Sequence, residues 1–138
     1  MKYRIVLLLN FIIYNATAQT YDLNINIENI KKVNGKIEVA IYNKAETFLV
    51  KGEALNVYRY KVTNKSKFLT ISDLPKGEYA IAVYHDLNSD KKFNKNIFGL
   101  PSESYGFSTN FIPRISKPSF DDCKIYINHS KSIHIALL

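Results

Sequence analysis

The residues best suited to chemistry are oxygen-bearing side chains spaced along one short segment, Asp86-x-Asn88-x-Asp90-x-x-x-Asn94. They fall at positions one, three, five and nine of a calcium-binding loop, and the carbonyl of Lys92 falls at position seven. Position six, where a sharp loop favours glycine, is Lys91, and position twelve, where an acidic ligand belongs, is Ile97. The segment therefore predicts either a weak calcium site or a turn in which Asp and Asn side chains accept bonds from nearby backbone amides.

His85 ends a row of alternating apolar residues and should face the same side of its strand as they do. That row is Tyr79, Ile81 and Val83. One interpretation is a partly buried histidine that hydrogen-bonds to the following segment, and the other is the base of a hydrolase that uses Glu103 or an Asp. Asp86 points to the opposite side, so the adjacent pair is not a ready-made dyad. The sequence has no nucleophile elbow, zinc-protease motif or phosphate loop, so we assign no catalytic residue.

Aromatic and amide side chains are interleaved further along, which is the make-up of surfaces that bind sugars or peptides. We predict a ligand-binding set from this region together with the preceding histidine. The set is His85, Glu103, Tyr105, Phe107 and Asn110. The other interpretation is that the rings only pack a loop onto the rest of the domain.

The elements that must position these residues are strands, because the chain alternates apolar and polar residues with a period of two. Seven strands are predicted, over 23–27, 37–41, 54–62, 68–71, 79–85, 124–128 and 132–138. Asn34-Gly35 suits a tight turn, so the first two strands are expected to form a hairpin. Short turns and no amphipathic helix indicate an all-β fold, a single antiparallel sandwich of immunoglobulin-like or prealbumin-like type. Residues 86–118 lack alternation and predict one long ordered loop, which in a compact domain is commonly functional.

The first eighteen residues have the form of a signal peptide, with basic Lys2 and Arg4, an apolar run, and Ala16-Thr17-Ala18 before the expected cleavage. We therefore expect residues 19–138 to be one exported domain, periplasmic or secreted, with no transmembrane segment. Removing the two basic residues leaves 17 of the 19 Lys and Arg against 12 Asp and Glu, a net charge of +5. These charges are scattered, so nucleic acid is not an expected partner. The single cysteine, Cys123, alternates with Ile125 and Ile127 and should be a buried, inert thiol.

Two stretches resemble one known family. The first stretch is Leu74-Pro75-Lys76-Gly77-Glu78-Tyr79, followed by His85-Asp86-x-Asn88-x-Asp90. The second stretch is Asn96-x-x-Gly99-x-Pro101-x-Glu103-x-Tyr105-Gly106-Phe107-Ser108. It is followed by Lys117-Pro118-Ser119-Phe120-Asp121-Asp122. Together they resemble the bacterial exported domain of unknown function numbered 2141. The resemblance implies a small exported β-sandwich and no particular activity. Lys91 stands where that family usually has glycine, and Cys123 where it usually has alanine.

We expect a non-enzymatic binding or accessory module of the cell envelope that uses the loop 86–118. Its partner would be an envelope protein, a glycan or a small ligand. The two alternatives are a calcium-stabilised structural domain and a hydrolase built on His85 and a carboxylate. No cofactor other than calcium is suggested by the residues.

Overall fold

The predicted strands form, and the computed structural model describes residues 18–95 and 101–138. The strands are β1 (Thr20–Glu28), β2 (Lys36–Tyr42), β3 (Asn56–Lys61), β4 (Lys67–Pro75), β5 (Gly77–Asp86), β6 (Tyr105–Phe107), β7 (Lys124–Ile127) and β8 (Lys131–Ala136), with a short helix α1 (Phe120–Cys123) before β7. Residues 1–17 of the predicted signal peptide, and Ile97 of the predicted loop, lie outside the described residues. No helix within the described ranges is long and apolar enough to cross a membrane.

The strands form two sheets, which confirms the all-β sandwich. One sheet has the order β4-β1-β8, and the other has the order β3-β2-β5-β6 with β7 also paired to β5. All ladders are antiparallel except β1–β8, which is parallel. The sandwich is therefore not purely antiparallel as predicted, because β8 returns to the small sheet in the direction of β1.

The predicted hairpin between the first two strands is wrong. β1 pairs with β4 and β8, whereas β2 pairs with β3 and β5, so the turn between β1 and β2 carries the chain from one sheet to the other. Gly35 does adopt the expected positive φ, at 70°. A Cβ at Gly35 would also collide with the backbone oxygen of Asp86, so glycine lets this turn lie against the end of β5.

The main core lies between the two sheets and is built from the inward rows of the strands. β5 shows the pattern clearly, because Tyr79, Ile81, Val83 and His85 are all buried on one face. The predicted face of this strand is therefore correct. It meets fully buried residues of the opposite sheet, among them Leu23, Ile25 and Ile27.

The predicted loop 86–118 is divided by a strand that the sequence did not indicate. β6 pairs with β5 opposite Ala82–Tyr84, and β7 pairs with β5 opposite Gly77–Ala80. Both therefore continue one edge position of the large sheet, and the chain leaves that edge between them. We call residues 87–95 and 101–104 the carboxylate loop and residues 109–119 the excursion.

A second apolar cluster covers the outer face of the large sheet. It consists of Ala40, Tyr42, Phe48, Ala80, Phe107, Phe120 and Cys123. Cys123 is fully buried, as expected, but it belongs to α1 and to this outer cluster and not to the face of Ile127, which lies in the main core. Burial, and then the charge of Asp122, raises the pKa of its thiol to about 12, which keeps the thiol protonated at neutral pH.

Candidate functional site

Asp86 is the residue from which the carboxylate loop is organised. It ends β5 and is 1% exposed. Its Oδ1 accepts a hydrogen bond from the amide of Asp90 at 3.1 Å, and its Oδ2 accepts one from the amide of Lys91 at 3.0 Å. A buried carboxylate must be hydrogen-bonded, and here the following turn of backbone supplies both donors.

Glu103 holds the other side of the same loop. It precedes β6 and is 6% exposed. Its Oε1 accepts from the amide of Leu87 and its Oε2 from the amide of Asn94, each at 3.0 Å. The Asn94 carbonyl in turn accepts from the amide of Ser102 at 3.0 Å. One carboxylate therefore joins the beginning, middle and end of the carboxylate loop.

The remaining predicted calcium ligands bond to one another. The Oδ2 of Asp90 accepts from the side-chain amides of Asn88 at 3.0 Å and Asn94 at 3.1 Å, and its Oδ1 accepts from the amide of Lys92 at 2.8 Å. These bonds, led by that from Asn94, lower the pKa of Asp90. Lys91 has a φ of 61°, so it takes the left-handed conformation for which glycine is better suited.

No group of three or more His, Cys, Asp and Glu side chains among residues 18–95 and 101–138 is arranged to hold a metal ion. The predicted calcium set contains only two carboxylates, Asp86 and Asp90, beside the amides of Asn88 and Asn94. The Asp and Asn side chains do accept backbone amides, as the turn interpretation expects. Calcium binding stays a prediction.

His85 is buried at 1% exposure and bonds across the end of the sandwich. Its Nε2 lies 2.7 Å from the carbonyl oxygen of Asn34, which can only accept, so Nε2 is the donor. Its backbone amide donates to the carbonyl of Ser104 at 2.8 Å. Both oxygens of Glu103 are bonded to backbone amides, and no hydrogen bond joins His85 to a carboxylate in the described part of the chain. The geometry gives the hydrolase alternative no support.

A cleft of about 430 Å³ opens where the end of β5, the start of β6 and the connection after β1 meet. Its walls combine basic, hydroxyl, acidic and apolar groups. They are Lys31, Lys32, His85, Leu87, Pro101, Ser102, Glu103, Ser104, Tyr105 and Leu138. Three members of the predicted ligand-binding set, His85, Glu103 and Tyr105, are therefore brought together here.

The other two members of that set serve the fold. Phe107 is 6% exposed within the outer cluster. The side-chain amide of Asn110 donates to the carbonyl of His134 at 2.9 Å and accepts from the amide of Ala136 at 2.8 Å, so it pairs with β8 as a strand would. Neither residue lines the cleft, and Asn110 instead borders a shallow depression along the excursion.

A row of aromatic rings runs from the outer face of the large sheet toward the cleft. The ring of Phe93 packs edge to face against Tyr84, with centroids 5.8 Å apart, and against Tyr105, with centroids 5.6 Å apart. Tyr105 packs in the same way against Phe107, at 5.8 Å. Burial, followed by the carboxylate of Glu38, raises the pKa of the Tyr84 hydroxyl. These contacts fix Tyr105 and Phe93 of the carboxylate loop against the sheet, since edge-to-face pairs stabilise such packing.

Sequence reasoning missed two charged features. Lys31 and Lys32 looked like scattered surface lysines, and nothing in their spacing connects them to residues seventy positions away. Glu38 is 9% exposed and its Oε2 lies 2.6 Å from the Nε of Arg59, although the N–H is not aligned for a hydrogen bond. The alternation in β2 already placed Glu38 away from the main core, and the cross-strand register puts Arg59 beside it.

The comparisons give a family and no activity. The profile of a bacterial family, domain of unknown function 2141, matches residues 25–135; its description reads "Uncharacterized protein conserved in bacteria". No curated protein and no solved structure matches the chain.

Proposed function

We propose that this chain, which belongs to the bacterial family of domain of unknown function 2141, is an exported, non-enzymatic binding module of the cell envelope. Its binding site is the cleft between Lys31, Lys32, Ser104 and Tyr105. The ligand class is a small molecule or glycan unit that carries a carboxylate or phosphate group. The motif-based resemblance and the family match agree, and neither assigns an activity.

The charge balance of the cleft carries this proposal. Lys31 and Lys32 bring two positive charges, and Glu103 is the one acidic side chain among the lining residues. That negative charge already accepts two backbone amides, from Leu87 and Asn94. An anion in the cleft would therefore meet two lysines, which bind carboxylates and phosphates as point charges, while the acid is turned toward its own loop.

The size and rigidity of the cleft also suit a small ligand. Its volume lies within the range of about 300–1,000 Å³ that is usual for ligand sites. Hydroxyl groups of Ser102 and Ser104 offer further polar contacts, and Leu87 and Tyr105 offer apolar ones. Since the carboxylate loop is held by several internal hydrogen bonds, little ordering would be needed on binding.

A calorimetric titration tests the site with glucuronate and inorganic phosphate as anionic probes and glucose as the neutral one. We expect the anions to bind and glucose not to bind. Replacing Lys31 and Lys32 together by Gln should weaken anion binding about tenfold or more, because both attractive charges are removed. The matched control replaces Lys44 and Lys51, which are exposed outside the cleft, and should leave the affinity unchanged.

Equal binding by the two double variants, or no binding of either anion to the native chain, would contradict the proposed site. A Tyr105→Ala variant separates the apolar contribution. It should weaken glucuronate more than phosphate, because only the sugar ring can pack against Tyr105.

Calcium-dependent stabilisation is the second candidate, with Asp86, Asn88, Asp90 and Asn94 as ligands. One observation favours it: Lys91, at the position where a calcium loop turns sharply, already has the left-handed backbone that the turn requires. We expect millimolar calcium to raise the melting temperature and a chelator to reverse the rise. Magnesium serves as the control cation. A melting temperature indifferent to both calcium and chelator removes this candidate.

A further inference from the structure

The tip of the excursion exposes apolar side chains that nothing in the described chain covers. Ile115, in the bend over residues 114–116, is 102% exposed, and Ile112 is 61% exposed. A single exposed apolar residue is ordinary on a protein surface, but two on one segment form an exposed apolar patch.

The near end of the excursion is firmly attached to the sandwich. The hydroxyl of Ser108 accepts from the amide of Ile81 at 3.0 Å and donates to the carbonyl of Cys123, so it closes the gap between β6 and β7. Asn110 bonds to two backbone groups of β8, and Phe111 packs against the outer cluster. The exposed tip is therefore carried on a fixed base.

The far end is equally fixed. Pro118 and Phe120 are buried. Ser119 and Asp122 form a capping box at α1, in which the Ser119 hydroxyl accepts from the Asp122 amide at 3.2 Å and the Asp122 carboxylate accepts from the Ser119 amide at 2.8 Å. Because both ends of the excursion are fixed, its apolar tip is held in an exposed position.

The charged side chains of the excursion itself are positive. Arg114 and Lys117 are exposed on either side of Ile115, and the excursion itself contains no acidic residue. Of the nearest acids in sequence, Asp121 forms an ion pair with Lys124 at 2.9 Å. Asp122 borders the same depression as the tip, and its carboxylate accepts hydrogen bonds from Ser119 at the start of α1. Neither Arg114 nor Lys117 forms an ion pair within residues 18–95 and 101–138. An apolar tip flanked by two such cations complements a surface whose interior is apolar and whose outer layer is anionic.

We propose that the excursion docks the domain onto the surface of a lipid bilayer rich in anionic lipid. Ile112 and Ile115 enter the boundary between headgroups and acyl chains, while Arg114 and Lys117 contact the lipid phosphates. Interfacial binding of this kind grows with buried apolar area and with attraction to anionic lipid. The docking surface is separate from the cleft, so this proposal does not rest on the proposed ligand.

The chain contains no tryptophan, which makes a direct reporter available. An Ile115→Trp variant should show a blue-shifted emission on mixing with vesicles of phosphatidylcholine and phosphatidylglycerol, and no shift with phosphatidylcholine alone. The matched control is Phe68→Trp, because Phe68 is 63% exposed on β4, away from the excursion. Its emission should not change with either vesicle.

Vesicle sedimentation of the native chain and three variants completes the test. Ile115→Ser should lower the vesicle partition coefficient about tenfold. The double variant Arg114→Gln with Lys117→Gln should lower it about fivefold for each charge removed. Phe68→Ser should have no effect. Raising the salt concentration should weaken binding through the basic residues.

Absence of binding to anionic vesicles, or equal binding by Ile115→Ser and the native chain, would overturn the proposal. So would a concentration-dependent dimer in ultracentrifugation that Ile115→Ser abolishes, because the tip would then be an interface between copies of the chain. None of these outcomes bears on anion binding in the cleft, which the lysine variants measure separately.

Discussion

The carboxylate loop leads into β6 and the excursion leads out of it, but the two segments are stabilised in opposite ways. The first is held from within, because Asp86 and Glu103 accept four backbone amides between Leu87 and Asn94. The second is held at its ends, by Ser108 and Asn110 on one side and a capping box on the other. Its middle makes few bonds and exposes isoleucine.

The two arrangements suit the two proposed roles. Internal carboxylate bonds give the first loop a defined shape that forms one wall of the cleft and directs its negative charge inward. The contacts at its two ends give the excursion a fixed position, and its apolar tip is left exposed. We infer that rigidity serves a binding cleft in the first case and exposure serves a surface contact in the second.

The largest expected effect comes from removing the internal carboxylate. Glu103→Ala leaves the amides of Leu87 and Asn94 without their acceptors and should lower the free energy of unfolding by about 3 kcal/mol. Asn110→Ala should cost about 1–2 kcal/mol, because its two bonds are neutral and lie at the surface. Urea denaturation measures both.

Glu103→Gln is the control for this comparison. Its amide offers one acceptor oxygen in place of two, so its loss of stability should lie between those of the native chain and Glu103→Ala. A larger loss for Asn110→Ala than for Glu103→Ala would mean that the excursion, and not the carboxylate loop, limits the stability of this edge.

A smaller effect, of opposite sign, is expected at the turn of the carboxylate loop. Lys91→Gly relieves a left-handed φ of 61° at an exposed position and should raise stability by about 1 kcal/mol, measured as a higher melting temperature. Lys92→Gly is the matched control, since Lys92 has no positive φ and should lose stability slightly. A melting temperature that falls in Lys91→Gly would show that the lysine side chain makes a contact of its own.

The smallest expected effects concern the stability of the fold at acidic pH. Hydrogen bonds from Asn94 first, and then from the Lys92 amide and Asn88, lower the pKa of Asp90 in the carboxylate loop; bonds from Ser119 lower the pKa of Asp122 at the end of the excursion. Each lowered pKa gives stability that is present above the ordinary value near 3.8 and is lost as the pH falls through the folded value.

Denaturation midpoints measured between neutral pH and pH 2 test this linkage. Asp90→Asn and Asp122→Asn should each make the midpoint less dependent on pH in the acidic range. Both carboxylates are exposed, so the changes should be small. An unchanged pH dependence in both variants would show that neither pair of loop bonds persists in solution.

Local alternation was sufficient to predict most strands. The inward row of β5 is correct because a strand places alternate residues on opposite faces whatever its partner. Strand pairing was not predictable in this way: Asn34-Gly35 suits a tight turn equally well whether the chain reverses within one sheet or crosses to the other. β6 was missed because it has only three residues, Tyr105–Phe107, one of them glycine.

Several residues of the family-like motif gain a structural reason. A Cβ on Gly106 would lie 2.7 Å from the Cγ2 of Ile135, so a larger residue would push β6 away from β8. Ser108 fills the gap in the edge strand, and Ser119 with Asp122 caps α1. These roles need neighbours from distant parts of the chain, which is why the motif by itself did not reveal them.

The sequence by itself determined an all-β domain, the buried row that ends in His85, and a turn of Asp and Asn side chains after it. These features depend on local period and local hydrogen bonding, which neighbouring residues settle among themselves. Only the tertiary structure decided that Glu103 bonds to its own loop, that Lys31 and Lys32 face His85 across a cleft, and that Ile115 projects between two cations. The first two are relations between residues distant in the chain, which the packing of two sheets creates. The exposure of Ile115 depends on the distant contacts that anchor the two ends of the excursion.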